Sequence, residues 1–241
     1  MGRAFEYRKA RKFKRWGAMS KAFTRIGKEI AMAVKSGGPN PESNSRLRVA
    51  IQNAKAAQMP KANVENAIKK ASSKDSANFD EVAYEGYGPF GVAILVETAT
   101  DNTTRTVANM RHIFSKYGGS LGTQGSLDFV FERKGQFTIK KGNLNAEELE
   151  LELIDFGLDE IEVDDESGEI IIYTKFTDFG EMQKALEERN IEIASAEKTR
   201  FPLSNKEITA EQAETINNIV EKFEEDDDVQ AVYTNFEVIG G

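Results

Sequence analysis

Residues 136–194 read QFTIKKGNLNAEELELELIDFGLDEIEVDDESGEIIIYTKFTDFGEMQKALEERNIEIA, and their hydrophobic period switches between two and about 3.6 residues. Residues 136–139 alternate as a strand does. Leu149, Leu153 and Phe156 then recur at helical spacing over 145–156. Ile161 and Val163 make a short strand, and Glu166-Ser167-Gly168 turns into a β-branched run over 170–173. Phe179, Met182 and Leu186 mark a second helix, and residues 191–194 begin a last strand. The order β-α-β-β-α-β predicts a ferredoxin-like unit.

On either side of this unit the same logic applies. Residues 91–98 form a continuous β-rich run, as in a buried strand. Asp101-Asn102-Thr103 offers a helix cap, and Val107, Met110, Phe114 and Tyr117 share one helical face that Gly118-Gly119 ends. Leu127, Phe129 and Phe131 alternate, which predicts a strand with one buried face. This β-α-β lacks a second α-β. Residues 210–226, with Ile216, Ile219, Val220 and Phe223 inward, and a strand over 229–236 supply it. The second domain is therefore expected to be discontinuous, with the third inserted into it. Upstream, Phe23, Ile26, Ile30 and Ala33, then Leu47, Ile51 and Ala54, then Val64, Ala67, Ile68 and Ala71 mark three short helices. Gly37-Gly38-Pro39-Asn40-Pro41 and Met59-Pro60 separate them. Residues 1–19 have poor apolar periodicity and read as an arm. The expected class is α+β: an N-terminal three-helix domain over 1–78, a discontinuous α/β domain over 79–134 plus 205–241, and an inserted ferredoxin-like α/β domain over 135–204.

The net charge of −8 conceals a division. Residues 1–75 hold 18 Lys and Arg against 5 Asp and Glu, a net of +13, and residues 76–241 carry the compensating −21. A cationic module joined to an anionic body points to a polyanion as partner of the basic half, with the acidic half turned away from it. The alternative is that the two halves attract each other. Seven of the first 15 residues are basic against one acid, Glu6, and the basic ones over 8–15 are too close together to be mutual structural pairs. Interleaved Phe5, Tyr7, Phe13 and Trp16 suit stacking on unpaired bases or packing on the helices. The candidate nucleic-acid-binding residues are Arg3, Arg8, Lys9, Arg11, Lys12, Lys14, Arg15, Lys21, Arg25, Lys28, Arg46, Arg48, Lys55, Lys61, Lys69 and Lys70. Phosphate contacts do not distinguish DNA from RNA.

Other chemistry is poorly supported. With no cysteine, thiolate metal sites, disulfides and cysteine nucleophiles are excluded. A single histidine, His112, excludes multi-histidine metal sites. Gly86-Tyr87-Gly88-Pro89-Phe90-Gly91 has the spacing of a dinucleotide fingerprint, but it precedes a strand and Pro89 removes an amide, so it reads as a turn. Asp164-Asp165-Glu166 and the acidic run 224–228 read as solvated surface rather than as metal or nuclease sites. The polar loop 118–126 could present backbone amides to a ligand or be a plain connection. No cofactor and no small-molecule substrate are expected. No apolar run approaches a membrane span, the longest being residues 30–34 and 92–96. A cytoplasmic monomer is the default expectation.

Several segments resemble the YebC/PmpR family. Lys21-Ala22-Phe23-Thr24-Arg25 with Lys28-Glu29-Ile30, and Gly37-Gly38-Pro39-Asn40-Pro41 with Asn44-Ser45-Arg46-Leu47-Arg48, are similar to its first helices and loop. Ala54-Lys55, Met59-Pro60-Lys61 and Ile68-Lys69-Lys70 match its third helix. Most specific are Tyr84-Glu85-Gly86-Tyr87-Gly88-Pro89, Thr100-Asp101-Asn102, Arg105-Thr106-Val107 and Arg111-His112, continuing through Gly118-Gly119 to Phe131-Glu132-Arg133-Lys134-Gly135. One departure is that Ala10-Arg11-Lys12 stands where the family has His-Arg-Lys, so the charge survives and the histidine does not. The resemblance implies three domains, the third inserted into the second, and no enzyme activity. It implies a DNA-binding transcriptional regulator or, as in related mitochondrial translational activators, a ribosome-associated factor that relieves stalling, for example at proline runs.

Overall fold

The computed structural model describes residues 19–73 and 76–239 of the chain. Helices α1 (Met19–Gly37), α2 (Ser45–Ala56) and α3 (Lys61–Ala71) pack around Ile26, Ile30, Ala33, Leu47, Ala54 and Val64. One buried side chain closes the break between the first two. Asn44 accepts from the Leu47 amide at 3.0 Å as N-cap of α2, and its own amide donates to the carbonyls of Ala33 and Gly38 at 2.7 and 2.8 Å. Gly38 takes the left-handed conformation (φ +83°) that ends a helix, and a Cβ on Gly37 would lie 2.7 Å from the Asn44 amide nitrogen.

From residue 80 strands and helices alternate. The elements are β1 (Asp80–Tyr87), β2 (Ala93–Thr100), α4 (Thr103–Lys116), β3 (Ser120–Leu121), β4 (Phe131–Lys140), α5 (Ala146–Leu153), β5 (Leu158–Asp164) and β6 (Glu169–Lys175). They continue with α6 (Phe179–Glu188), β7 (Ile193–Pro202), β8 (Lys206–Ile208), α7 (Ala210–Glu224), β9 (Val229–Thr234) and β10 (Phe236–Val238). The class is α+β. One antiparallel sheet has the order β3-β1-β2-β9, so its fourth strand comes from the far end of the chain. Helices α4 and α7 cover one face of it, where Ile94, Val96, Met110, Phe114, Ile216, Ile219 and Phe223 are buried. The Phe114 and Phe223 rings meet at 4.8 Å, and truncating either to alanine is worth about 3–5 kcal/mol. A second antiparallel sheet has the order β5-β6-β4-β7 and carries α5 and α6 over Phe137, Ile139, Ile170, Ile172 and Ile193. β8 and β10 form a small parallel pair.

Three expectations about elements are corrected. Leu127 and Phe129 lie in turns, with Leu127 buried and Phe129 70% exposed; only Phe131 of that alternation is in a strand. β4 then runs unbroken from Phe131 to Lys140, through the polar Arg133-Lys134-Gly135. Gly135 is accommodated because Phe179 and Thr174 fill the space of a side chain, at 2.6 and 2.7 Å from a built Cβ. The strand expected over 229–236 stops at Asn235, whose side chain accepts from the Ala93 amide at 2.8 Å and donates to the Ser204 carbonyl at 3.1 Å. β1 is not marked by hydrophobic alternation, because it carries Asp80, Glu81 and Glu85 among its apolar positions.

Candidate nucleic-acid interface

The arm candidates Arg3, Arg8, Lys9, Arg11, Lys12, Lys14 and Arg15 lie outside the described residues. The remaining cations sort by the helix face that carries them. Lys21, Arg25 and Lys28 recur at i, i+4 and i+7 on α1, so they share one face. That face meets the turn between α7 and β9. Lys21 and Arg25 line a crevice with Glu224, Asp226 and Asp227, and the Arg25 guanidinium donates to the Glu224 carbonyl at 3.4 Å. The Lys28 ammonium uses all three of its donors, to the carbonyls of Ala99 and Asp227 and to Asp228 Oδ1, each at 2.8 Å.

Asp228 is the hub of this contact, and with a side chain 7% exposed it is not the solvated carboxylate expected from the acidic run. Its Oδ2 accepts from Arg105 at 2.7 Å, Thr106 at 2.9 Å and Thr100 at 3.1 Å. Burial would raise its pKa, but the bonds from Arg105, Lys28 and Thr106 outweigh burial and hold it at about 2. Acids at the C-terminal end of α7 oppose its dipole, and the α1 cations offset them. Thr100-Asp101-Asn102 and Arg105-Thr106 thus build a latch between the helical module and the body. Asn102 also caps α4 by accepting from the Arg105 amide.

α2 docks on the second sheet. Arg48 forks onto Glu187 at 3.0 and 2.9 Å, and this bond first of all lowers the Glu187 carboxyl below the ordinary range. Asn53 exchanges two hydrogen bonds with the backbone of Ala196, at 2.7 and 2.9 Å, satisfying the outer edge of β7. Lys55 pairs with Glu192 at 3.1 Å and Arg46 with Glu81 at 2.7 Å, both in solvent. In the same junction the Glu29 carboxyl is pushed up to about 7, by burial and then by the charge of Glu197. Lys61, Lys69 and Lys70 on α3 remain at the surface, and among the described residues their only ion pair is Lys61 with Glu65 at 3.7 Å within the helix. The structure therefore separates the candidates: α1 and α2 turn their cations to the body, and α3 turns its cations outward.

The other motifs have local explanations. The glycine-rich 86–91 segment is the turn of the β1–β2 hairpin, closed by Gly88 N donating to Val92 O at 2.8 Å. The 118–126 loop is internally pinned. Buried Glu85 accepts from the amides of Gly125 and Leu127 at 2.9 and 2.6 Å, and its backbone carbonyl accepts from Gly122 at 2.7 Å. Those amides are therefore not free to hold a ligand. Asp164 accepts from the amides of Glu166 and Ser167, an Asx turn in the hairpin between β5 and β6. Among the described residues no group of three or more His, Asp or Glu side chains is placed to hold a metal ion. None of the described helices is long and apolar enough to cross a membrane.

Comparison with known proteins agrees with this architecture. Residues 3–74 match the pattern described as the TACO1/YebC protein N-terminal domain, and residues 79–236 that of the TACO1/YebC second and third domain. A "probable transcriptional regulatory protein" of Parabacteroides distasonis is 61% identical over 98% of this chain and 96% of its own length. One of the same description from Porphyromonas gingivalis is 59% identical over 98% of this chain and 97% of its own length. The crystal structure of a conserved hypothetical protein from Aquifex aeolicus superposes with a TM-score of 0.77 at 39% identity, covering 94% of this chain and 93% of that one.

Proposed function

The chain belongs to the TACO1/YebC family, and from that membership we propose a non-enzymatic regulator of gene expression that holds nucleic acid with its N-terminal basic module. The observation that carries this reading is the partition of the cations. Those facing the acidic body are neutralised there, whereas Lys61, Lys69 and Lys70 face outward and the arm adds Arg3, Arg8, Lys9, Arg11, Lys12, Lys14 and Arg15. Outward cations dock on phosphates and release counterions. The latch at Asp228 keeps the anionic body in a fixed place behind them, where it does not compete for the same cations.

The relatives' description points to DNA, in which case α3 enters the major groove with Lys61 and Lys69 toward the base edges. A second reading, a ribosome-associated translation factor, is favoured by one observation. Arg46 and Arg48, the guanidinium groups best suited to guanine edges, are each tied to a carboxylate, at 2.7 and 2.9 Å. Phosphate contacts to RNA and stacking by the arm aromatics need neither. The test is ultraviolet cross-linking in growing cells, followed by sequencing of the attached nucleic acid. One ribosomal RNA site supports the translation factor, and discrete genomic segments support the transcriptional regulator. Recovery of no nucleic acid refutes both.

A further inference from the structure

We propose that the outer face of α4, the 118–125 loop and the tip of the β1–β2 hairpin form a second binding surface on the acidic body, for an unpaired RNA strand. The inference rests on the nucleic-acid reading above and adds a site that the basic module does not contain.

Charge is the first observation. Residues 76–241 carry 35 acids, so a stretch of 26 residues should hold about five, yet residues 102–127 hold none. The same stretch carries Arg105, Arg111, His112 and Lys116. Arg105 belongs to the latch. Arg111 and His112 are exposed and make no hydrogen bond or ion pair with any described residue, and the only partner of Lys116 among the described residues is the Tyr117 ring, whose centre lies 5.7 Å away. Other cations of the body find carboxylates readily: Lys141 with Asp165, Arg189 with Glu152, Arg200 with Glu97 and Lys222 with Glu225. Complementing the helix dipole accounts for Lys116, in the last turn, but not for an anion-free face reaching back to Arg111 and on through the loop.

Topology supplies the second observation. β2 runs away from the hairpin turn, α4 returns along it, and β3 places Ser120 opposite Tyr87. The Arg111–Lys116 half of α4 therefore ends beside the hairpin tip. The loop and the tip are closely apposed: a Cβ on Gly119 would collide with the Tyr87 carbonyl, and one on Gly86 with the Ser120 carbonyl.

The tip itself is unusual. Tyr87 and Phe90 are 39% and 42% exposed, and Phe90 holds the left-handed conformation (φ +63°) that bulky residues avoid. Phe90 thus holds a strained backbone while leaving much of its ring open to solvent. Cations without counter-charge meet phosphates, and exposed rings meet base faces, which a duplex keeps stacked inside. Ser120, Thr123 and Gln124, exposed on the loop, add hydroxyl and amide groups suited to ribose hydroxyls and base edges. The 14 residues of α4 span about 21 Å, so this surface lies about a helix length from the latch that fixes the basic module to the body, and a strand held by the basic module and by this surface gains by avidity.

The experiment uses the full-length chain, a fluorescent 20-nucleotide RNA of mixed sequence, the same sequence as single-stranded DNA, and its DNA duplex. Anisotropy titrations at several salt concentrations compare the wild type with the Arg111→Gln/His112→Gln/Lys116→Gln variant and with Phe90→Gly. The altered side chains are exposed, and glycine suits the left-handed position, so both variants should melt no lower than the wild type. The proposal expects roughly tenfold weaker RNA binding in the triple variant, with a salt slope about 1.4 smaller for the two lost permanent cations. It expects weaker RNA binding by Phe90→Gly with the slope unchanged. Equal affinity and slope in the triple variant, with binding still lost on neutralising the arm, overturns this surface and leaves the proposed function standing. Binding of the duplex or of the DNA strand as tightly as RNA, equally sensitive to the triple variant, overturns the choice of RNA. No binding of any probe by the wild type at low salt overturns the proposed function itself.

Discussion

Replacing Asp228 by asparagine keeps the shape of the latch and removes its charge. Lys28 and Arg105 then face a neutral amide, with side chains of residues 28 and 228 only 11% and 7% exposed. Breaking a buried pair by removing one partner costs about 3–5 kcal/mol, because the other charge stays behind. For a chain of this length that lowers the melting temperature by about 6–20 °C. Lys28→Met should cost less, since Asp228 keeps Arg105, Thr100 and Thr106. The double variant should be less damaged than the sum of the two by about 2 kcal/mol, the coupling expected of residues in one network. The pH dependence is a second check. A folded pKa near 2, against an ordinary 3.8, stabilises the protein above about pH 4, and this is lost as pH falls through 2. The difference between wild type and Asp228→Asn should therefore shrink by about 2 kcal/mol between pH 5 and pH 2. Urea unfolding of the four proteins of the cycle measures all of this. A coupling under about 0.5 kcal/mol would show that Lys28 and Asp228 are neighbours and not a latch.

Three further outcomes follow from the geometry. The Glu29 carboxyl, pushed up to about 7 from 4.5, stabilises the fold fully below about pH 4.5, and the effect disappears as pH rises through 7. Glu29→Gln should therefore remove up to about 3 kcal/mol of the stability difference between pH 5 and pH 8, read by denaturant unfolding, and an unchanged profile would contradict the assignment. Glu85→Ala leaves the amides of Gly125 and Leu127 unsatisfied, so a loss of about 2–4 kcal/mol and faster amide exchange at 122–127 are expected, against unaltered exchange if the loop holds itself. Asn53→Ala unmakes two bonds to the edge of β7, with an expected cost of about 1–3 kcal/mol and loss of exchange protection at Ala196; full protection there would refute the docking role of α2.

Much of the fold was legible because hydrophobic period marks helices and buried strands directly. The ferredoxin-like order, the N-cap at Asn102 and the break at Gly37-Gly38 all follow from single residues and their spacing. Legibility failed where a side chain's role depends on a distant partner. Leu127 and Phe129 alternate like a strand, yet the backbone there turns beside Glu85, some forty positions earlier. β1 was hidden because Glu85 in its interior is satisfied by loop amides rather than by solvent. The site shows the same limit. Basic composition marks the N-terminal module as cationic, but it does not distinguish Arg48 and Lys28, which bind the body, from Lys69 and Lys70 at the surface of α3. The one usable signal was the i, i+4, i+7 spacing of Lys21, Arg25 and Lys28, matched by the acidic run 224–228. Hydrogen bonds across 199 and 200 residues, the second of them an ion pair, depend on the fold, not on local pattern.

The most direct measurement of the central claim is the salt dependence of RNA binding by the wild type and by a variant with Arg8, Lys9, Arg11, Lys12, Lys14 and Arg15 replaced by glutamine. Each phosphate contact on a single strand contributes about −0.7 to the slope of log K against log salt, so loss of six should flatten the slope by about 4 and weaken binding severely, with the melting temperature unchanged. An unaltered slope and affinity would contradict the claim that the N-terminal basic module is where this protein holds nucleic acid.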